Sequence, residues 1–218
     1  MRINRYIANV TGLSRRAADT AIAEGRVSIN GQPVVLGQEA QETDTVHLDG
    51  QPLAQASAKH LTIMLNKPVG YVCSRNGQGS QTVYDLLPPK YHNLKPVGRL
   101  DKDSSGLLLL TSDGALANQL THPRYKKEKV YRVALGRPLT KRDLTAITQG
   151  VELNDGPSRL NIRILAPARY EVRMAEGRNR QIRRTFAAVG YMISSLHRTH
   201  FGPYSLRDLK AGSYRPLP

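Results

Sequence analysis

The 218-residue sequence predicts an α+β protein: a small α/β module at the N-terminus, then a larger domain with a mainly antiparallel mixed sheet flanked by helices. Three observations predict it. Strand-like apolar runs at 61–65, 71–74, 107–111, 130–135, 160–165 and 170–175 alternate with helical stretches near 115–120, 140–149 and 179–189. Residues 51–60 carry small polar side chains without periodicity, the composition of a linker. Charge changes at the same place. Residues 1–58 hold five Lys or Arg against six Asp or Glu and the rest holds 27 against 11, so the whole excess of +15 lies in the second part. The expected division is therefore a module at 1–50, a linker at 51–60 and a domain at 61–218.

In the module, Ile3, Tyr6, Ile7 and Val10 recur at helical spacing until Gly12 breaks the run. Ser14 stands where an N-cap belongs, opening a second helix over 15–24. Its apolar stripe is Ala17, Ala18, Ala21 and Ile22, with Arg15, Arg16 and Asp19 outside. Gly25 ends it, and residues 26–32 alternate like a short strand closing on an Asn30-Gly31 turn.

The most informative run of the larger domain is Gly98-Arg-Leu-Asp-Lys-Asp-Ser-Ser-Gly-Leu-Leu-Leu-Leu-Thr-Ser-Asp-Gly114. Residues 107–110 read as a buried strand entered from a charged loop. Asp101, between Arg99 and this apolar stretch, is either buried in an ion pair or held ready to react. Asp103 and Asp113 invite a metal reading beside it, but no convergent His or Glu completes a ligand set, and Asp113 suits a turn or helix cap before Ala115. Cys73 reads as a small half-buried strand residue. His197 and His200, flanking Arg198 on an expected late strand, are RNA-facing or structural.

So large a positive excess points to a polyanion, nucleic acid above all, as partner. A single cysteine excludes an internal disulfide or a multi-cysteine zinc site and fits a reducing cytoplasm. The first residues develop no apolar signal core, and no stretch approaches the length of a membrane span. The expectation is a cytoplasmic monomer without membrane association.

Two resemblances sharpen these expectations. The helix-turn-helix-strand unit, with Ser-Arg-Arg, Gly-Arg-Val and Ile-Asn-Gly at their spacings, resembles the S4 RNA-binding domain over residues 2 to about 50. It implies phosphate contacts by Arg5, Arg15, Arg16 and Arg26, whose guanidinium forks suit phosphate oxygens. Across the larger domain, four segments stand in the order found in RNA pseudouridine synthases of the RsuA/RluB branch, which modify ribosomal RNA. They are Lys67-Pro-Val-Gly70, the run from Gly98, Lys129-Val-Tyr131, and Glu176-Gly-Arg-Asn-Arg-Gln-Ile-Arg-Arg184.

The second resemblance implies that Asp101 is the catalytic carboxylate acting on a flipped-out uridine, with Arg183 paired to it and Tyr131 holding the base or taking its C5 proton. Leu100, Ile182 and Lys67 are expected around the pocket, with a structural role beside the turn at Pro68 and Gly70 equally open for Lys67. Arg99, Lys126, Lys127, Lys129, Arg178, Arg180 and Arg184 are expected to meet or steer RNA. The isomerisation gains and loses nothing, so no cofactor and no metal are implied. Two other readings stay open: a non-catalytic S4-type assembly factor on a synthase fold, and a metal-dependent nuclease using Asp101 and Asp103.

Overall fold

The protein is described here by a computed structural model covering residues 1–53 and 60–218. Two compact units divide it: Met1–Leu61 with Ser112–Gly114, and Thr62–Thr111 with Ala115–Pro218. The expected linker falls largely on residues 54–59, which lie outside the described residues; its first two residues instead belong to a strand.

The first unit opens with helix α1 (Ile3–Thr11), ended by Gly12 in the left-handed region at φ 77°. Helix α2 (Arg15–Ala23) starts where Ser14 Oγ accepts the Ala17 amide, as expected of an N-cap. Ala17 is exposed, so the inward stripe of α2 reduces to Ala18, Ala21 and Ile22. Strands β1 (Val27–Ile29) and β2 (Gln32–Pro33) form a hairpin in which Asn30 and Gly31 both have positive φ, the conformation an Asn-Gly two-residue turn favours. With β3 (Val46–Leu48) and β4 (Gln51–Pro52) they make a sheet of order β2-β1-β3-β4. Ile3, Tyr6, Ile7, Ile22, Val27 and Val46 supply much of its core.

The second unit is built on a nine-stranded sheet. Its strands are β5 (Thr62–Lys67), β6 (Lys95–Val97), β7 (Ser105–Thr111), β8 (Lys129–Leu135), β11 (Asn161–Ala166), β12 (Arg169–Met174), β13 (Ile193–Phe201), β14 (Tyr204–Ser205) and β15 (Tyr214–Leu217). A separate hairpin joins β9 (Val151–Leu153) to β10 (Gly156–Ser158). The main path runs β11-β12-β8-β13-β7-β5-β15, with β14 on β13 and β6 on β7. Every pairing is antiparallel except β13 with β7, which matches the mainly antiparallel mixed sheet expected. Helices α3 (Gly114–Thr121), α4 (Lys141–Gln149) and α5 (Gln181–Ala188) complete the set.

Strand β7 lies in the middle of the sheet, and all four leucines at 107–110 are fully buried. A strand covered on both faces reads as a continuous apolar run because neither face meets water. Each of these side chains contributes about 1.5–3 kcal/mol by its burial. The strand expected at 71–74 does not form: only Val72 makes an isolated bridge, to Thr82. Cys73 is instead held in a loop, its Sγ donating to the Leu100 carbonyl at 3.3 Å and accepting the Leu100 amide at 3.4 Å. Burial pushes its thiol pKa up, which suits an inert packing role.

Candidate active site

The turn carrying Asp101 is fastened from beneath by the first segment singled out in the sequence. Lys67, at the end of β5, is wholly buried. Its Nζ donates to the carbonyls of Pro68 and Asp101 at 3.0 Å each and of Ser104 at 2.7 Å. An ammonium has three donors, and all three are used. Burial pulls its pKa down, while Cys73, Asp101 and Asp103 pull it up. The Gly70 amide donates to the Lys102 carbonyl at 2.7 Å, and the Ser104 amide to the Asp101 carbonyl at 3.0 Å. Lys67 thus sets the backbone of the Asp101 turn and does not line the cavity, so of its two readings the place in the pocket is the one that fails. The end of a fully buried strand leaves it no path to the opening.

Above the turn lies a cavity of about 1000 Å³. Leu100, Asp101, Tyr131, Ile182 and Arg183 all line it, as do Arg99, Lys126, Lys129, Arg178 and Arg180. Several elements converge on it, among them the loop before β7, strands β8, β12 and β13, the β9–β10 hairpin, and α5 with the segment leading into it. Tyr131 is 8% exposed on β8, and opposite it in the sheet register stands Arg198 of β13. The Asp101 side chain is 37% exposed, so this carboxylate is half-buried at the cavity wall rather than sunk in an apolar pocket.

The ion pairs around it differ from expectation. Arg180, not Arg183, is the guanidinium that reaches Asp101, its Nη1 lying 3.5 Å from Oδ2. The same Arg180 holds Asp103 by a two-pronged contact at 3.0 and 2.8 Å. Arg183 turns to Asp103 instead: Nε stands 3.2 Å from Oδ2, and Nη2 donates to the Asp103 carbonyl at 2.8 Å. The reason is local geometry. Arg180 caps α5 in a left-handed conformation at φ 46°, which puts its side chain over the turn, whereas Arg183 sits within the first turn of the helix. Hydrogen bonding to Arg180 above all, with Arg183 adding to it, holds the Asp103 carboxyl below its usual range.

The other cations divide into committed and open groups. Arg178 donates through Nη1 to the carboxylate of Asp155 and to the carbonyls of Asp155 and Gly156, each at 2.9 Å, and through Nη2 to Pro157 at 2.7 Å. Arg184 grips Asp155 at 3.0 and 2.6 Å and Asn154 at 2.6 Å. Both were expected to meet RNA, yet they clamp the loop of the β9–β10 hairpin to α5, and Arg184 does not line the cavity. Lys129 donates to the Ala175 and Glu176 carbonyls at 3.2 and 3.1 Å, and burial lowers its pKa. Lys127 is half-buried and off the cavity wall. Arg99 and Lys126, both exposed, line the cavity without an ion pair among the described residues. In the first unit, Arg5, Arg15 and Arg16 are exposed. Arg26 is held by Asp49 at 2.6 and 2.7 Å and by Glu24 at 3.0 Å.

No group of three or more His, Cys, Asp or Glu side chains suited to a metal ion occurs among the described residues. Asp101 and Asp103 face guanidinium groups, which compete with a cation for the same oxygens.

Residues 61–188 match the family model described as RNA pseudouridylate synthase. The chain belongs to the RNA pseudouridylate synthase family. Along its full length it is 37% identical to the ribosomal small subunit pseudouridine synthase A of Escherichia coli (strain K12), covering 96% of that protein. It is also 36% identical over 99% of its length to the ribosomal large subunit pseudouridine synthase B of Pseudomonas aeruginosa, of which it spans 59%. A crystal structure of a pseudouridylate synthase superposes with a TM-score of 0.72 at 34% identity, covering all of this chain and 96% of the other. The likeness to that synthase structure therefore extends over the whole chain.

Sequence reasoning missed three features of this synthase cavity: Asp103 as the hub of the arginines, Asp155 as the anchor of Arg178 and Arg184, and Arg198 in its wall. Arg198 carried a readable signal. It shares the inward-facing register of β13 with Leu196, and a charged residue there departs from the apolar rule for a buried strand face.

Proposed function

We propose that the protein isomerises a specific uridine, or a few, in ribosomal RNA to pseudouridine, with Asp101 as the catalytic carboxylate. The observation that carries this is the convergence of Asp101 and Tyr131, from separate segments, on one cavity bordered by arginines and lysines. The reaction breaks the bond between N1 and the ribose C1′, turns the base, joins C5 to C1′ and releases the C5 proton. A carboxylate beside C1′ serves either as nucleophile or as the charge that stabilises an electron-poor sugar.

A base inside a helix is out of reach, so the target nucleotide leaves the stack and enters the cavity. Tyr131 lies on the wall where the base enters, and its ring supplies a stacking face while its phenol is suited to receive the C5 proton. Arg180 assists by orienting Asp101 through its contact at 3.5 Å, and is itself held by Asp103. Arg99 and Lys126 hold phosphates at the rim. Arg5, Arg15 and Arg16, on a module resembling the S4 domain, add contacts that select the substrate. The protein acts on RNA or an assembly intermediate in the cytoplasm, as a monomer.

A non-catalytic assembly factor has no chemical use for a carboxylate and an aromatic set together in a cation-lined cavity. Mapping pseudouridines in ribosomal RNA with and without the gene tests the proposal. Loss of pseudouridine at one or a few positions is expected; an unchanged map overturns it.

A further inference from the structure

Arg198 is 2% exposed, yet only part of its guanidinium is used. Nε donates to the Leu107 carbonyl at 2.8 Å, which orients the group. Nη2 is buried and has no hydrogen-bond partner. No carboxylate pairs with Arg198 among the described residues. A buried, charged donor left unpaired is costly and rare unless something completes it. The guanidinium lies over the Phe201 ring at 4.8 Å, where Lys129 also approaches at 5.5 Å. The sheet register places Arg198 directly across from Tyr131, and both line the cavity. This wall therefore carries positive charge without an internal counter-ion, beside the aromatic ring proposed to receive the base.

We infer that the Arg198 guanidinium donates to a carbonyl oxygen of the target base and stabilises the anion that the base becomes when its bond to the sugar breaks. The inference rests on the proposed isomerisation. Cleavage of N1–C1′ leaves the electron pair on the base, where it is shared among N1, O2 and O4, while Asp101 meets the charge at C1′. After the base turns, C5 supplies the electron pair of its new bond to C1′, the C5 proton passes to the general base proposed at Tyr131, and N1 takes up a proton from water, so atoms and electrons balance. A donor fixed beforehand near a developing oxyanion acts without reorganising at the moment of reaction.

The test uses the full chain and a synthetic RNA fragment centred on the uridine mapped as above, carrying either uridine or 5-fluorouridine there. Fluorine stabilises the base anion by itself and so relieves the need for Arg198. Nucleosides are separated after digestion and the loss of the starting nucleoside is followed in a single turnover, because C5 of 5-fluorouridine has no proton to release and the rearranged base cannot finish as pseudouridine. Arg198→Met is expected to lower kcat on uridine about 100-fold with KM changed less than threefold, and to slow consumption of 5-fluorouridine about tenfold or less. Arg198→Lys keeps a cation and is expected to fall between the two proteins, with the same smaller deficit on 5-fluorouridine. It carries the test if the Met variant does not fold.

Equal losses on both substrates overturn the inference, as does a rise in KM alone, which would mark a phosphate contact, or a loss under threefold. Should the unaltered protein make no pseudouridine, the proposed function fails and the inference falls with it. An active protein whose Arg198 variants miss the expected pattern refutes the inference alone.

Discussion

The backbone of Arg198 occupies the space that a side chain at Gly106 would need. A Cβ on Gly106 would lie 2.2 Å from the Arg198 carbonyl oxygen and 2.6 Å from its nitrogen, and φ there is 108°. These two residues are register partners in the one parallel contact of the main sheet, between β7 and β13. Close approach of the two strands puts Arg198 in the cavity wall beside the turn that bears Asp101.

Gly106→Ala should therefore damage fold and site together. The added methyl must displace backbone and adopt a conformation that favours glycine, for a loss of about 3 kcal/mol or more. Urea unfolding measures the loss; a change below about 1 kcal/mol would show that the strands separate freely.

Removing the Asp103 charge should free two arginines at once. Asp103→Asn is expected to lower kcat about tenfold while RNA affinity holds, because Arg180 and Arg183 lose the carboxylate that positions them. The effect on stability stays within about 1 kcal/mol, since water screens these half-exposed pairs. Its folded-state pKa is depressed below the unfolded value of about 3.9, so the contribution is full above that pH and lost as pH falls through the folded value. Acid titration of both proteins should show their stability difference shrinking below about pH 4.

Lys67→Met keeps length and removes the donors beneath the Asp101 turn. Three carbonyls lose the ammonium donor, and a loss of about 3 kcal/mol is expected together with a large fall in kcat. Thermal unfolding and turnover, measured side by side, check it. Stable, fully active protein would mean the turn holds itself.

Asp155→Ala should act on substrate binding more than on chemistry. Arg178 and Arg184 lose a shared anchor, and the β9–β10 hairpin that borders the cavity loosens. KM for the RNA fragment is expected to rise several-fold with kcat within about threefold. Steady-state kinetics separate the two.

What could be read from the sequence follows from how far each signal reaches along the chain. The four leucines at 107–110 and the Ser14 cap are local statements, and both took the form expected. Asp101 and Tyr131 share the cavity that their motifs implied. The partner of Arg183 could not be read, because the choice between Asp101 and Asp103 depends on a tight turn held by Lys67 and on the left-handed backbone at Arg180. Residues 71–74 looked like a strand because their side chains are apolar enough, but Val72 gives its amide to the Gln81 carbonyl and its carbonyl to the Val83 amide, while Cys73 turns its Sγ to the Leu100 backbone. The orphaned Nη2 of Arg198 exists only once two strands distant in sequence are brought together.

The most direct measurement is turnover by Asp101→Asn on the RNA fragment carrying the mapped uridine. The substitution keeps the shape of the side chain and removes its charge and nucleophilicity. Pseudouridine formation should fall below detection while the RNA still binds with affinity within about threefold of the unaltered protein. Full activity in that variant would contradict Asp101 as the group that acts at C1′.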